Sequence, residues 1–273
     1  MRLGEKQVLT VVKQVDFGVY LGSEEERVLL PAKQVPPEIE IGDPVEVFLY
    51  KDSSDRLIAT TREPRLTLHG LAVLKVVETG GIGAFLDWGL EKDLLLPFKQ
   101  QTAKAEKGRE YLVSLYIDKS ERLCATMKVY PHLLTDSGYQ KDDWVEAIIY
   151  EDSDEFGVFA AVDDKFSALI PRREAYGKLQ VGDRISARVV EVREDGKLTL
   201  SVREKAFLQM DADAELIFRK IESYGGELPF TDKADPQLIM KEFGLSKNAF
   251  KRAVGRLLKE GRIEIKEKII VIR

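Results

Sequence analysis

Gly18-Val19-Tyr20-Leu21, Gly83-Ala84-Phe85-Leu86 and Gly157-Val158-Phe159-Ala160 are three copies of one pattern, and each runs on to an aliphatic pair ending in proline: Leu30-Pro31, Leu96-Pro97 and Ile170-Pro171. Eleven residues beyond each proline stands a further glycine, Gly42, Gly108 or Gly182. It precedes an alternating run: Val45 and Val47; Leu112, Ser114 and Tyr116; or Ile185, Ala187 and Val189. Each copy closes on a short apolar run, a hydroxyl residue and a cation: Leu57 to Arg62, Leu123 to Lys128 and Leu198 to Arg203. A repeat of this kind sets the boundaries of every domain, so it precedes the assignment of any single element.

The runs between the glycines are short, rich in β-branched and aromatic residues, and often alternate apolar with polar, the period of a strand buried on one face. Five strands fit each copy; in the third they are predicted at Trp144 to Tyr150, Gly157 to Val162, Ser167 to Ile170, Arg184 to Val192 and Leu198 to Arg203. Roughly 65 residues with five strands is the size of a Greek-key OB barrel, which closes its sheet and removes exposed edges. Glu63-Pro64-Arg65 and the stretch from Tyr130-Pro131-His132 to Asp136-Ser137-Gly138 read as connectors.

After Arg203 the period changes. Leu216, Ile217, Ile221 and Tyr224 recur at helical spacing and stop at Gly225-Gly226. Asp235-Pro236 starts a second helix with Leu238, Ile239 and Phe243 on its apolar face, ended by Gly244. Ser246 caps a third, with Phe250, Val254, Leu257 and Leu258 predicted to pack inward and Lys247, Lys251, Arg252, Arg256 and Lys259 largely on other faces. Two strands, Arg262 to Lys266 and Lys268 to Ile272, complete a helix–helix–helix–hairpin pattern. The fold class is therefore mainly β with a C-terminal α+β domain: three tandem five-stranded OB barrels at 1–63, 64–131 and 138–207, then a winged helix at 208–273.

Composition agrees with several small domains. The 273 residues exceed the usual size of one hydrophobic core, and 44% hydrophobic with 33% charged residues suffices to bury cores without approaching a membrane span. The start Met1-Arg2-Leu3-Gly4-Glu5-Lys6 lacks a signal-peptide run, so a cytoplasmic protein with no membrane association is expected. The lone Cys124 lies in an apolar strand-like run and reads as a buried, inert thiol. The net charge is -5, yet nine Lys or Arg against three acidic residues from Lys247 to Arg273 make that end electropositive.

Each barrel resembles the S1 RNA-binding family, through the glycine-x-aromatic turn, the aliphatic pair, the glycine before the fourth strand and the terminal hydroxyl-x-cation. The whole chain resembles the conserved virulence factor B family, with its triple barrel and winged helix. The S1 resemblance implies base stacking by two aromatics flanking the first glycine, at positions occupied here by Phe17 and Tyr20, Ile82 and Phe85, and Phe156 and Phe159. Ile82 departs from that pattern, and Trp88 is the substitute stacking residue. The family's histidine near the third strand is replaced by Pro31, Pro97 and Pro171. A spacing of three puts a pair on opposite faces of a regular strand, so the intervening glycine is expected to allow a bulge or bend. Arg62, Lys128 and Arg203 at the last strand, and Lys33, Lys99, Arg172 and Arg173 after the proline, recur in register and suit phosphate contact. Burial in the barrel core competes for Phe85 and Phe159, and a solvated surface charge competes for each cation.

Catalysis has little support. His69 and His132 fall in connectors with no cysteine or second histidine at ligand spacing, so neither a metal site nor a cofactor is expected. Gly80-Gly81-Ile82-Gly83 lacks the Lys-Ser/Thr ending and following helix of a phosphate loop. The sequence therefore points to a non-enzymatic protein whose partner is nucleic acid, RNA in preference to DNA, bound with little base specificity. The resemblance adds post-transcriptional control, including that of virulence genes. A duplex-DNA regulator acting through the winged helix and a protein-interaction scaffold remain as competing readings.

Overall fold

The computed structural model describes residues 1–175, 179–202, 206–267 and 269–273, with the side chains of residues 206–211 outside that description. The chain divides into two compact units, residues 1–202 and 203–273. In the first barrel, β1 (Lys6–Val15), β2 (Gly18–Gly22), β3 (Arg27–Pro31), β4 (Pro44–Lys51) and β5 (Leu57–Thr60) close in the order β1-β2-β3-β5-β4. The third repeats this with β11 (Trp144–Ser153), β12 (Gly157–Val162), β13 (Phe166–Pro171), β14 (Arg184–Val192) and β15 (Leu198–Ser201). The second has β6 (Leu71–Gly80), β7 (Gly83–Asp87), β8 (Leu94–Pro97), β9 (Glu110–Ile117) and β10 (Leu123–Thr126). Its order is equivalent, β10-β9-β6-β7-β8, but no strand ladder joins β8 to β10. Closure elsewhere rests on a short parallel pairing, Leu29 with Ile58 and Ala168 with Leu198.

The repeated glycine has a steric cause. A Cβ on Gly18, Gly83 or Gly157 would lie 2.1, 2.2 or 2.3 Å from the carbonyl oxygen of Leu30, Leu96 or Ile170, and all three have positive φ. The bulge expected there is displaced. Register shifts fall instead on the facing strand, between Val11 and Lys13, Val76 and Glu78, and Ile149 and Glu151. The glycine supplies the bend, and the residue before it belongs to the turn, where strand alternation no longer governs which way the side chain points.

The barrels are less independent than their repetition suggests. One cluster of buried residues includes Phe48 and Tyr50 of the first, Trp88 and Leu115 of the second, and Val145 and Val189 of the third. The connectors are docked: Leu66 is buried, the Leu68 amide donates to the Gly4 carbonyl at 2.8 Å, and the Leu134 amide donates to Lys165 at 2.8 Å. They also bring His69 and His132 together, stacked with centroids 5.8 Å apart and planes 14° from parallel. Burial, and then the neighbouring His69, holds His132 below the ordinary imidazole range.

In the second unit α1 (Ala206–Ser223), β16 (Glu227–Leu228), α2 (Pro236–Phe243) and α3 (Lys247–Lys259) precede the hairpin of β17 (Ile263–Lys266) and β18 (Ile269–Ile272). Asp235 accepts from the Gln237 amide and Ser246 from the Ala249 amide, while Gly244 ends α2 at φ 68°. Helix α1 begins inside the stretch assigned from sequence to the third barrel, and β16, a two-residue strand with no sequence signal, pairs with β18. Leu238 and Leu258, read as inward, are exposed; Ile239, Phe243, Phe250, Ala253, Val254 and Leu257 form the packed faces. Lys268, the start of the final strand predicted from sequence, lies outside the described residues.

Two outcomes follow from this packing. Gly83→Ala, which forces a side chain against a carbonyl, is expected to cost at least about 2 kcal/mol in chemical unfolding, whereas the same change at open Gly81 costs far less. Because the native state resists protonating His132, stability is complete above the ordinary imidazole value of 6.5 and falls as the pH drops below it. His132→Gln should flatten that part of the profile in thermal melts between about pH 7.5 and about pH 5.

Candidate nucleic-acid interface

The bend at the glycine leaves two rings facing outward. Phe17 is 58% and Phe156 56% exposed, while Tyr20 and Phe159 are half-buried on the outer side of strands whose neighbours Val19, Leu21, Val158 and Ala160 face the core. Phe17 meets Tyr20 edge to face at 6.5 Å, and the Arg27 guanidinium lies 4.9 Å from the Tyr20 ring centre. Phe156 and Phe159 lie 6.4 Å apart. Phe17, Tyr20 and Phe156 stand clear of the buried clusters and leave ring surface for stacking, whereas Phe159 packs against the cluster of Leu112, Ile148 and Tyr150, with the Tyr150 ring 6.2 Å away, and is only partly open.

In the second barrel Phe85 is half-buried and Ile82 61% exposed. Trp88 does not replace the missing ring. It is 3% exposed, its Nε1 donates to the Lys92 carbonyl at 2.6 Å, and it packs edge-on against Phe48 at 5.8 Å and Tyr50 at 6.3 Å. Trp88 lies three residues beyond Phe85, just past the end of β7, where contact with Phe48 and Tyr50 of the first barrel covers it.

The terminal hydroxyl of each repeat has a mechanical role that assembles the site. After each proline the chain makes a 3-10 turn, Ala32–Gln34, Phe98–Gln100 or Arg172–Glu174. Thr60 Oγ1 donates to Gln34, Thr126 Oγ1 donates to Gln100 at 2.8 Å, and Ser201 Oγ donates to Glu174 at 2.8 Å. The same turn is fixed to the aromatic loop, since the Ala32 amide donates to the Phe17 carbonyl at 3.0 Å and the Phe98 amide to Ile82 at 3.4 Å. Aromatic loop, cation-bearing turn and last strand therefore meet at one end of the barrel.

This latch brings exposed Lys33 and Arg62 to the Phe17 end, and exposed Lys99 and Lys128 to the Ile82 end. Their surroundings differ. Arg62 pairs with Glu91 at 3.3 Å, and Arg172 is held by Asp152 at 2.8 Å and by the Ser153 carbonyl, whereas Arg173 is exposed. Arg203 lies outside the described residues. Across the strand from the outer ring stand Lys13 in the first barrel, Glu78 in the second and Glu151 in the third.

Tyr130, which the sequence places in a connector, adds a further ring. It is 48% exposed, 6.4 Å from Phe159, with Lys197 Nζ 5.6 Å from its ring centre, and so extends the third aromatic surface. Its signal in sequence is an aromatic placed just beyond the terminal cation Lys128. Cys124 is buried, and burial, with Asp118 adding, pushes its thiol up to about 11, which suppresses thiolate chemistry. Among the described residues no group of three or more His, Cys, Asp or Glu is placed to hold a metal ion, and no helix is long and apolar enough to cross a membrane.

On α3, Lys251, Arg252 and Lys259 face solvent, Lys247 is partly covered, and Arg256 pairs with Glu260 at 2.9 Å. The buried stripe Phe250, Ala253, Val254 and Leu257 leaves the basic residues on the surface of the helix that follows the α2–α3 turn.

The S1 domain family model matches residues 3–62 and 71–128, and the CvfB-like winged helix domain model matches residues 215–271. The chain is 31% identical over 272 residues to the uncharacterized protein YitL of Bacillus subtilis, covering 96% of this chain and 91% of that one. It is 30% identical over 237 residues to conserved virulence factor B of Staphylococcus aureus, covering 84% and 79%. A crystal structure of a multidomain protein with nucleic acid binding domains from Streptococcus pneumoniae matches 99% of this chain and 98% of its own, at 25% identity and a TM-score of 0.55. The third barrel lies outside the residues matched by the S1 model, and its strand order places it with the other two.

Thr126→Val removes the latch hydroxyl at nearly constant volume and leaves Gln100 Oε1 short of a donor. A loss of about 1–2 kcal/mol in denaturant unfolding is expected, restored in part by the additional change Gln100→Leu.

Proposed function

This chain belongs to the conserved virulence factor B family, and from that premise we propose that it binds single-stranded RNA with little base specificity, as a cytoplasmic regulator of gene expression with no catalytic activity. The observation that carries the reading is the recurrence, at the latched end of the first and third barrels, of two outward rings beside a turn bearing cations. Every base has a π-face, so stacking contributes roughly 1–3 kcal/mol per base without reading its edge. The narrow platforms suit splayed single-stranded bases better than a stacked duplex. The basic face of α3 adds sequence-independent attraction to phosphate.

RNA over DNA is the expected order, and control of virulence genes after transcription is carried over from the family. A second reading, duplex DNA held by α3, draws on the exposed Lys251, Arg252 and Lys259.

Fluorescence anisotropy with single-stranded RNA and duplex DNA across a salt series separates the two. Under the RNA reading the single strand binds more tightly, and Phe156→Ala and Phe159→Ala each weaken it by about fivefold or more, the lower end of the stacking range. Tighter duplex binding that is insensitive to both changes would favour the α3 reading, and binding to neither ligand would leave a protein scaffold.

A further inference from the structure

The join between the first and second barrels contains a cleft of about 180 Å³. Tyr50, Lys51 and Asp55 come from the first barrel, and Ile82, Phe85, Trp88, Arg122 and their neighbours from the second. Its walls are apolar: Ile82, half-buried Phe85 and Leu95 on one barrel, with Tyr50 and the edge of Trp88 at the join. Its charged lining is mixed, three cations, Lys51, Lys92 and Arg122, against the carboxylates of Asp55 and Asp93. Two of these groups already bridge the barrels, since Lys92 Nζ donates to the Asp52 carbonyl at 2.9 Å and Arg122 pairs with Asp55 at 3.5 Å.

Three features narrow the ligand. The volume is below the roughly 300 Å³ at which sites for drug-sized ligands begin, so the cleft accommodates one ring system. An apolar slot with cations at its mouth matches a planar heterocycle carrying a phosphate. Asp93, in the same lining, offers an acceptor to an exocyclic amine. The walls are preformed because Trp88 packs against Phe48 and Tyr50 from the other barrel, so little ordering cost opposes binding.

We propose that this cleft takes one nucleotide of an RNA strand, with the base against Phe85 and Ile82 and its phosphate toward Lys51, Lys92 and Arg122. The assignment rests on the RNA reading above and adds a site that belongs to neither barrel alone. At this site the base is enclosed between two barrels, where Ile82 stands in place of a second ring.

The chain has two tryptophans, so Trp144→Phe leaves Trp88 in the cleft wall as the only reporter. In that full-length protein, RNA binding by anisotropy and Trp88 emission are followed with a short single-stranded RNA and, separately, with cytidine monophosphate. The expected result is a Trp88 response that saturates with RNA binding. Lys51→Ala combined with Arg122→Ala should abolish it and lower the slope of log affinity against log salt by about 0.7 for each lost phosphate contact. Phe156→Ala should weaken binding yet keep the Trp88 response at saturation.

RNA binding with silent Trp88 emission and an unchanged salt slope in the double variant overturns the cleft while the RNA reading stands. If RNA does not bind but cytidine monophosphate changes Trp88 emission, the cleft survives as a nucleotide site and its place on an RNA path is overturned. If neither ligand acts, both fall.

Discussion

At Gly18, Gly83 and Gly157 the backbone passes so close to the carbonyl of the neighbouring strand that a single methyl group would not fit. Everything that gives the barrels an outer face follows from that approach. The bend takes Phe17 and Phe156 out of strand alternation, so that Tyr20 and Phe159 can be joined by a second ring on the outside while Val19 and Val158 fill the core. Without it, a spacing of three would put one ring of each pair inside.

The hydrogen bonds from Thr60, Thr126 and Ser201 give this face its second component. A hydroxyl at the end of the last strand holds the turn after the proline, and that turn carries Lys33, Lys99 or Arg173. The three faces then diverge electrostatically. Lys13 and Arg27 flank Tyr20, whereas Glu78 and Glu151 stand across from Phe85 and Phe159, and Arg172 is occupied by the Asp152 loop. In a chain of net charge -5, positive charge is therefore local: exposed Lys13, Arg27 and Lys33 on the first barrel, and exposed Lys251, Arg252 and Lys259 on α3.

Trp88 links these sites mechanically. Burying an indole between Phe48 and Tyr50 joins the first two barrels, and replacing such a ring by alanine typically costs 3–5 kcal/mol. Two barrels held in this way keep their outer faces and the cleft between them in a fixed relation.

Read from residues alone, the repeat determined the number of barrels and the five strands of each, because glycine spacing and period-two alternation are local consequences of backbone sterics, whereas the outward aromatics were implied only by the S1 resemblance. Capping residues placed α2 and α3 for the same reason, as Asp235, Ser246 and Gly244 act on their own helix ends. What tertiary structure decided was contact between segments distant in sequence. It covered Trp88 with Phe48 and Tyr50, brought Tyr130 of a connector beside Phe159, set His69 against His132, and tied Arg172 to an acidic loop. It also left Leu238 and Leu258 exposed, because each helix buries only the stripe its neighbours reach. Periodicity specifies which face of an element is apolar; only packing specifies what comes to lie against it.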